Sequence, residues 1–141
     1  SEIEKLECGS PPVVNLESER SNGDCVRKLI ISQKISACHD VSDGGVLVSL
    51  AEMAMVSNVG IEVYDLSGAI PTHYWGFGED QGRYIIVTSE DRYVIDECKL
   101  ANVTINRIGK AYGSDFIFGG QRMSLESMKE KNEAWLPNYM A

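Results

Sequence analysis

At 141 residues, 43% hydrophobic and 24% charged, the chain is long enough for one folded domain with a single core. Its 21 acidic residues outnumber 13 basic ones to give a net charge of −8. That balance argues against nucleic acid as a partner, because no basic stripe is available to drive counterion release.

No apolar run reaches the length of a membrane span, and no basic-then-apolar leader opens the chain, so no membrane partner is expected and the cytoplasm is the expected location. Residues 1–14, ending in Gly9-Ser10-Pro11-Pro12 and two valines, read as a linker or lead-in from a missing upstream domain, with the folded domain over 15–141. From Asn15 the pattern is helical, with Glu17 and Glu19 near the positive end of the dipole and Val26, Leu29 and Ile30 on one face. A bend or restart is expected at Ser21-Asn22-Gly23-Asp24. Ile35 to Cys38 reads as a buried strand, and Val46 to Val56 repeats apolar residues at 46, 47, 50, 53 and 54, which is helical spacing.

Gly60 to Tyr64 alternates as a strand does, and Ser67 to Gly78 reads as a long loop or short irregular helix. Arg83 to Thr88 is the clearest strand, rich in Tyr, Ile and Val. Asp91 to Leu100 is helical, with Val94, Ile95 and Cys98 on one side. Val103 to Ile108 and Asp115 to Phe118 read as strands. A last helix is expected from Ser124 to Pro137, with an i,i+4 pair Lys129 and Glu133 and with Trp135 and Tyr139 anchoring it to the core. Several connections are too short for a helical crossover, so the fold class expected is α+β, a mixed sheet with helices packed on it, and not a doubly wound parallel sheet. Cys8, Cys25, Cys38 and Cys98 form no Cys-x-x-Cys pair, and His39 and His73 are not at zinc-ligand spacing. Four free thiols are expected, not a disulfide framework or a Cys/His metal centre.

Two polar segments stand out. In Cys38-His39-Asp40-Val41-Ser42-Asp43-Gly44-Gly45, a strand feeds a Gly-Gly turn that opens a helix. Backbone N–H groups and the positive end of the helix dipole meet there, Gly44 and Gly45 permit positive φ and close approach, and Asp40 and Asp43 could hold a divalent cation against an anionic ligand. The plainer alternative is that Ser42 or Asp43 caps the helix and the glycines make the turn. In Phe77-Gly78-Glu79-Asp80-Gln81-Gly82-Arg83, two adjacent carboxylates, an amide and a guanidinium precede the best strand. Arg83 could grip a phosphate or pair structurally with a neighbouring acid.

The two segments together, His-Asp-x-Ser-x-Gly-Gly and then Phe-Gly-Glu-Asp-Gln-Gly-Arg, resemble the C-terminal domain of the aminoimidazole ribonucleotide synthetase superfamily, a group of ATP-dependent ligases and related enzymes. Within it, the chain looks most like the phosphoribosylformylglycinamidine synthase family of purine biosynthesis. Pro11-Pro12-Val13-Val14-Asn15-Leu16-Glu17, Ala51-Glu52-Met53-Ala54, Arg107-Ile108-Gly109-Lys110 and Trp135-Leu136-Pro137-Asn138-Tyr139-Met140 extend the likeness from Pro11 to Ala141.

The resemblance implies a role in converting formylglycinamide ribonucleotide to its amidine. Mg²⁺ and ATP serve as cofactors, ammonia comes from a glutaminase domain or subunit, and the small-molecule ribonucleotide is the substrate. It places this chain as the C-terminal domain of the second of two pseudo-symmetric halves, inactive alone and partnered by upstream domains of the same chain. The family's catalytic histidine, ATP-gripping lysine and most magnesium ligands lie upstream, so no catalytic residue is assigned here. By pseudo-symmetry Asp40 takes the place of a magnesium ligand. His39, Asp40, Ser42, Asp43, Gly44, Gly45, Glu79, Asp80, Gln81 and Arg83 take the place of a nucleotide or phosphate pocket, with Asp80 standing where the first copy has Ser. The rivals are a purely structural interaction module of the same enzyme, and a domain of another superfamily member such as a thiamine-phosphate or selenophosphate-type kinase. Loops 39–45 and 78–83 are expected to lie together at one end of the sheet.

Overall fold

The computed structural model describes residues 14–64, 68 and 70–140. The expected lead-in over 1–14 lies outside them apart from Val14, which is exposed.

Helix α1 runs from Leu16 to Ile31, started by the Asn15 side chain, which accepts a hydrogen bond from the Ser18 amide at 3.0 Å. It is unbroken, contrary to the bend expected at Ser21 to Asp24. The helix passes through Gly23, where a Cβ would meet the Tyr84 hydroxyl at 3.6 Å, an ordinary van der Waals contact. The buried face is Cys25 and Leu29, whereas Ile30 is half exposed.

Strand β1 (Ala37–Asp40) pairs antiparallel with β3 (Tyr84–Val87), Cys38 opposite Ile86 and Asp40 opposite Tyr84. β1 is largely exposed, which corrects the buried strand expected there. The burial lies instead in β3, at Ile85. Helix α2 (Gly45–Ser57) follows, with Val46, Leu47, Leu50 and Ala54 turned into the core as their spacing required. A second, mixed sheet has the order β4-β2-β5-β6. Here β2 is Ile61–Val63, β4 is Gly109–Ala111, β5 is Asp115–Phe118 and β6 is Gln121–Ser124. β2 runs antiparallel to β4 and parallel to β5, and β6 closes antiparallel on β5. The short helix α3 (Thr72–Phe77) packs on α2, helix α4 (Asp91–Leu100) on α1, and the last helix α5 (Leu125–Met140) on α2 and β6. The architecture is α+β, a mixed sheet with helices packed on it.

Three expectations need correction. Residues 103–108 make no strand. Val103 and Ile105 pack instead into the space between α1 and α4, and pairing begins only at Gly109. α5 continues past Pro137 to Met140. The proline removes one amide, but Glu133, whose carbonyl loses that partner, is exposed and open to water. Trp135 and Tyr139 do not anchor the helix: they are 65% and 77% exposed and stack on each other at 5.3 Å between ring centroids. Lys129 reaches Asn58 Oδ1 at 3.1 Å.

The apolar interior is in two parts. One lies under α2 and the sheets, with Val41, Leu47, Leu50, Ile61, Val63 and Ile85, and Trp75 packs against it and stacks on Phe118 at 6.0 Å. The other is a smaller cluster of Cys25, Leu29, Val94 and Cys98 between α1 and α4.

Candidate functional site

The chain crosses from β1 into α2 over Val41 to Gly44, and from α3 into β3 over Gly78 to Arg83. Because β1 and β3 are paired, both connections emerge at the same end of that ribbon. They touch directly: the Gly44 amide donates to Glu79 Oε1 at 2.9 Å. Gly45, at φ +71°, lies so close to the end of α3 that a Cβ there would stand 2.7 Å from the Gly78 oxygen. Glycine at 44 and 45 thus provides both the left-handed backbone and the close approach.

The N-cap of α2 is Gly44, not Ser42 or Asp43, and no side chain caps the first turn of the helix; Glu79 from the other loop instead accepts from the amide of Gly44 itself. Sequence reasoning put Glu79 in the site but missed this contact, since nothing in local spacing signals an acceptor supplied from 35 residues away.

Between the loops lies a cavity of about 330 Å³, lined by Glu19, Asp40, Ser42, Asp43, Glu79, Gln81 and Arg83 among others. Glu19, on the first turn of α1, was not among the expected site residues. α1 is held over the cavity by Asn22, whose side-chain amide donates to the Gly82 carbonyl at 2.9 Å.

Several polar groups are already engaged. The Arg83 guanidinium donates to the Gly78 carbonyl and, from Nε at 3.3 Å, to the Asp80 carbonyl, and its terminal nitrogen lies 3.6 Å from Asp80 Oδ2. It therefore braces the 78–83 turn. The Gly45 amide donates to the Ser42 carbonyl at 3.0 Å. His39 lies beside the cavity, outside its lining: Nδ1 is 2.5 Å from the Asp40 carbonyl oxygen, an acceptor, so the ring proton belongs on Nδ1. Its Nε2 faces the Glu52 carboxylate on α2 at 3.6 Å. Asp80 points towards Arg83, while Gly44 and Gly45 contribute backbone only. Partial desolvation, and then the charge of Asp40, raise the thiol of the surface-exposed Cys38 above its ordinary 9.0, so the cysteine beside the site stays protonated near neutral pH.

The electrostatics of the lining decide what it could accept. Glu19, Asp40, Asp43 and Glu79 outnumber the single guanidinium of Arg83, so a bare phosphate would be repelled. Magnesium keeps several waters and is held by one or two carboxylates together with the phosphates it accompanies. Asp40, 72% exposed at its side chain, and Asp43 are oxygen donors of that kind. Among the described residues no group of three or more metal-ligating side chains is preassembled. The donor set therefore fits a magnesium ion that arrives with its anion.

The comparisons agree with the architecture. The family described as "AIR synthase related protein, C-terminal domain" matches residues 1–119. The phosphoribosylformylglycinamidine synthase subunit PurL of Granulibacter bethesdensis is 46% identical over 141 residues, covering 99% of this chain and 19% of its own. The chain thus spans about a fifth of the length of such relatives. Among solved structures, Thermotoga maritima PurL complexed with FGAR superimposes with a TM-score of 0.72 at 11% identity, over 89% of this chain and 23% of that one. The same protein complexed with ADP gives 0.70 at 12% identity, over 81% and 22%. At such identities the likeness concerns the fold. With most of its length matched, this chain belongs to the AIR synthase related C-terminal domain family.

Proposed function

We propose that this domain is part of a cytoplasmic phosphoribosylformylglycinamidine synthase, as the C-terminal domain of the second half of its synthetase chain. The ligase reaction joins ammonia, released from glutamine by a glutaminase partner, to formylglycinamide ribonucleotide at the expense of ATP. This domain's part is to line a nucleotide or phosphate pocket completed by upstream domains, and alone it is inactive. The names of the relatives support the enzyme, and the T. maritima PurL structures with FGAR and ADP support ligands of this class.

The observation that carries the reading is the convergence of two sequence-distant polar loops on one cavity of about 330 Å³. That is within the size range of small-molecule sites. Asp40 and Asp43 would hold the magnesium ion, which when bound supplies the positive charge that phosphates need in this acidic lining. Gln81 and Ser42 offer neutral donors to the same space. Glu79 ties the two loops together, and Arg83 keeps the 78–83 turn in shape.

A second reading has its own support. Because Arg83 and the Gly44 and Gly45 amides already have internal partners, the loops could be scaffold only. Magnesium and ADP titrated into the chain while backbone amide shifts are followed by NMR separates the two. Shifts confined to 40–44 and 79–84, in the chain alone or with the upstream domain restored, support the pocket. Silence in both settings leaves the scaffold reading.

A further inference from the structure

We propose that Cys25 on α1 and Cys98 on α4 form a redox-sensitive pair, closed to a disulfide by a peroxide, which pins the helix that brings Glu19 and Asn22 to the candidate site. The two sulfurs are 3.7 Å apart across the α1–α4 contact, and both residues are buried. A tetrahedral zinc ion with sulfur ligands at about 2.3 Å would span a similar gap. However, their packing neighbours include Leu29, Ile35, Ile86, Val94, Val103 and Ile105, and among the described residues no group of three or more His, Cys, Asp or Glu that could hold a metal is assembled. Thiol chemistry is what this pair can do.

A disulfide holds its sulfurs at about 2.0 Å. Closure therefore asks the two side chains to approach by about 1.7 Å, within reach of rotamer adjustment and a small slide of α1 on α4. The steps balance. One sulfur of the pair, as its thiolate, attacks the peroxide, the O–O bond breaks, and a sulfenic acid and hydroxide result. The other sulfur then displaces hydroxide from the sulfenic sulfur, forming the S–S bond. Two thiols lose two electrons and two protons, and one hydrogen peroxide becomes two waters.

Burial, and then the hydrogen bond with Cys25, push the Cys98 thiol up to about 12, so the buried pair is slow to react. Burial also makes the reaction gated: peroxide must enter through an opening between α1 and α4. The link to the site is short in sequence. Cys25 follows Asn22, which holds the Gly82 carbonyl, by one helical turn, and Glu19 lies one turn earlier.

The test uses the chain with Cys8 and Cys38 both changed to Ser, so that only the pair can react. After hydrogen peroxide and an acid quench, the intact mass is expected to fall by two hydrogens. Peptide mapping without reductant should join the Cys25 and Cys98 peptides, and dithiothreitol should reverse both results. Oxidation should also raise the melting temperature and slow amide exchange at Gly82 and Arg83. Two outcomes overturn the proposal: both thiols still reacting with an alkylating reagent after denaturation, or a mass gain of oxygen on either cysteine without the link. The same treatment of the wild-type chain checks that the two serines did not create the behaviour.

Discussion

At the scale of single residues, the site depends on contacts that reach from one loop to the other. Glu79 bonds the amide of Gly44, the residue that starts α2, from the other loop, so Glu79→Ala should cost about 1 kcal/mol in urea unfolding, as the loss of one hydrogen bond does. Glu79→Gln, which keeps an acceptor oxygen but not its charge, should cost about half of that. Cys98 predicts a pH dependence. Its thiol titrates near 9.0 in an unfolded chain and at about 12 in the fold, so between those values the unfolded state binds fewer protons than the native one. Stability that is whole below pH 9 should therefore fall as pH rises towards 12. Cys98→Ala should show a flatter decline than the wild type, measured by urea midpoint across that range. The candidate residues were legible because they carry their chemistry in their names: carboxylates, an amide and two glycines in two short runs. What they do to one another was not. That Arg83 braces its own turn, and that Glu19 joins the lining from α1, follow from chain crossings that no local spacing encodes.

Among the elements, the same distinction applies. α4 and β5 fall where periodicity put them, because each carries a clear pattern with polar or glycine punctuation at its ends. β6 gave no such signal: Gln121 to Ser124 is exposed throughout and exists by pairing with β5, so its register comes from its partner and not from its own residues. Residues 103–108 are the converse, apolar and β-branched but used to fill the α1–α4 gap. That gap has a small core of its own, centred on Leu29, which is 1% exposed. Leu29→Ala should cost about 2–5 kcal/mol, since Cys25, Val94 and Cys98 can collapse only partly into the space. Its effect should spread to faster amide exchange at Gly82, through the loosened α1.

For the molecule as a whole, a net charge of −8 concentrates partly in the cavity, where Glu19, Asp40, Asp43 and Glu79 face one another. Raising sodium chloride from about 10 mM to about 150 mM shortens the Debye length from roughly 30 to 8 Å and should raise the urea midpoint, with no change in the slope of the transition. A lower midpoint would show that ion pairs such as Lys34–Glu90 outweigh the like-charge repulsion. The central position of β2 has a consequence for how the protein is made. Synthesis proceeds from the N-terminus at about 5–20 residues per second. Ile61 and Val63 therefore leave the ribosome well before Ala111, Phe116 and Phe118, the neighbours on either side of them in the finished sheet. During that interval α1 and α2 can form locally, but the larger core has no floor. A ribosome stalled before residue 109 would hold a nascent chain with β2 unpaired on both edges, the state in which a chaperone is most needed.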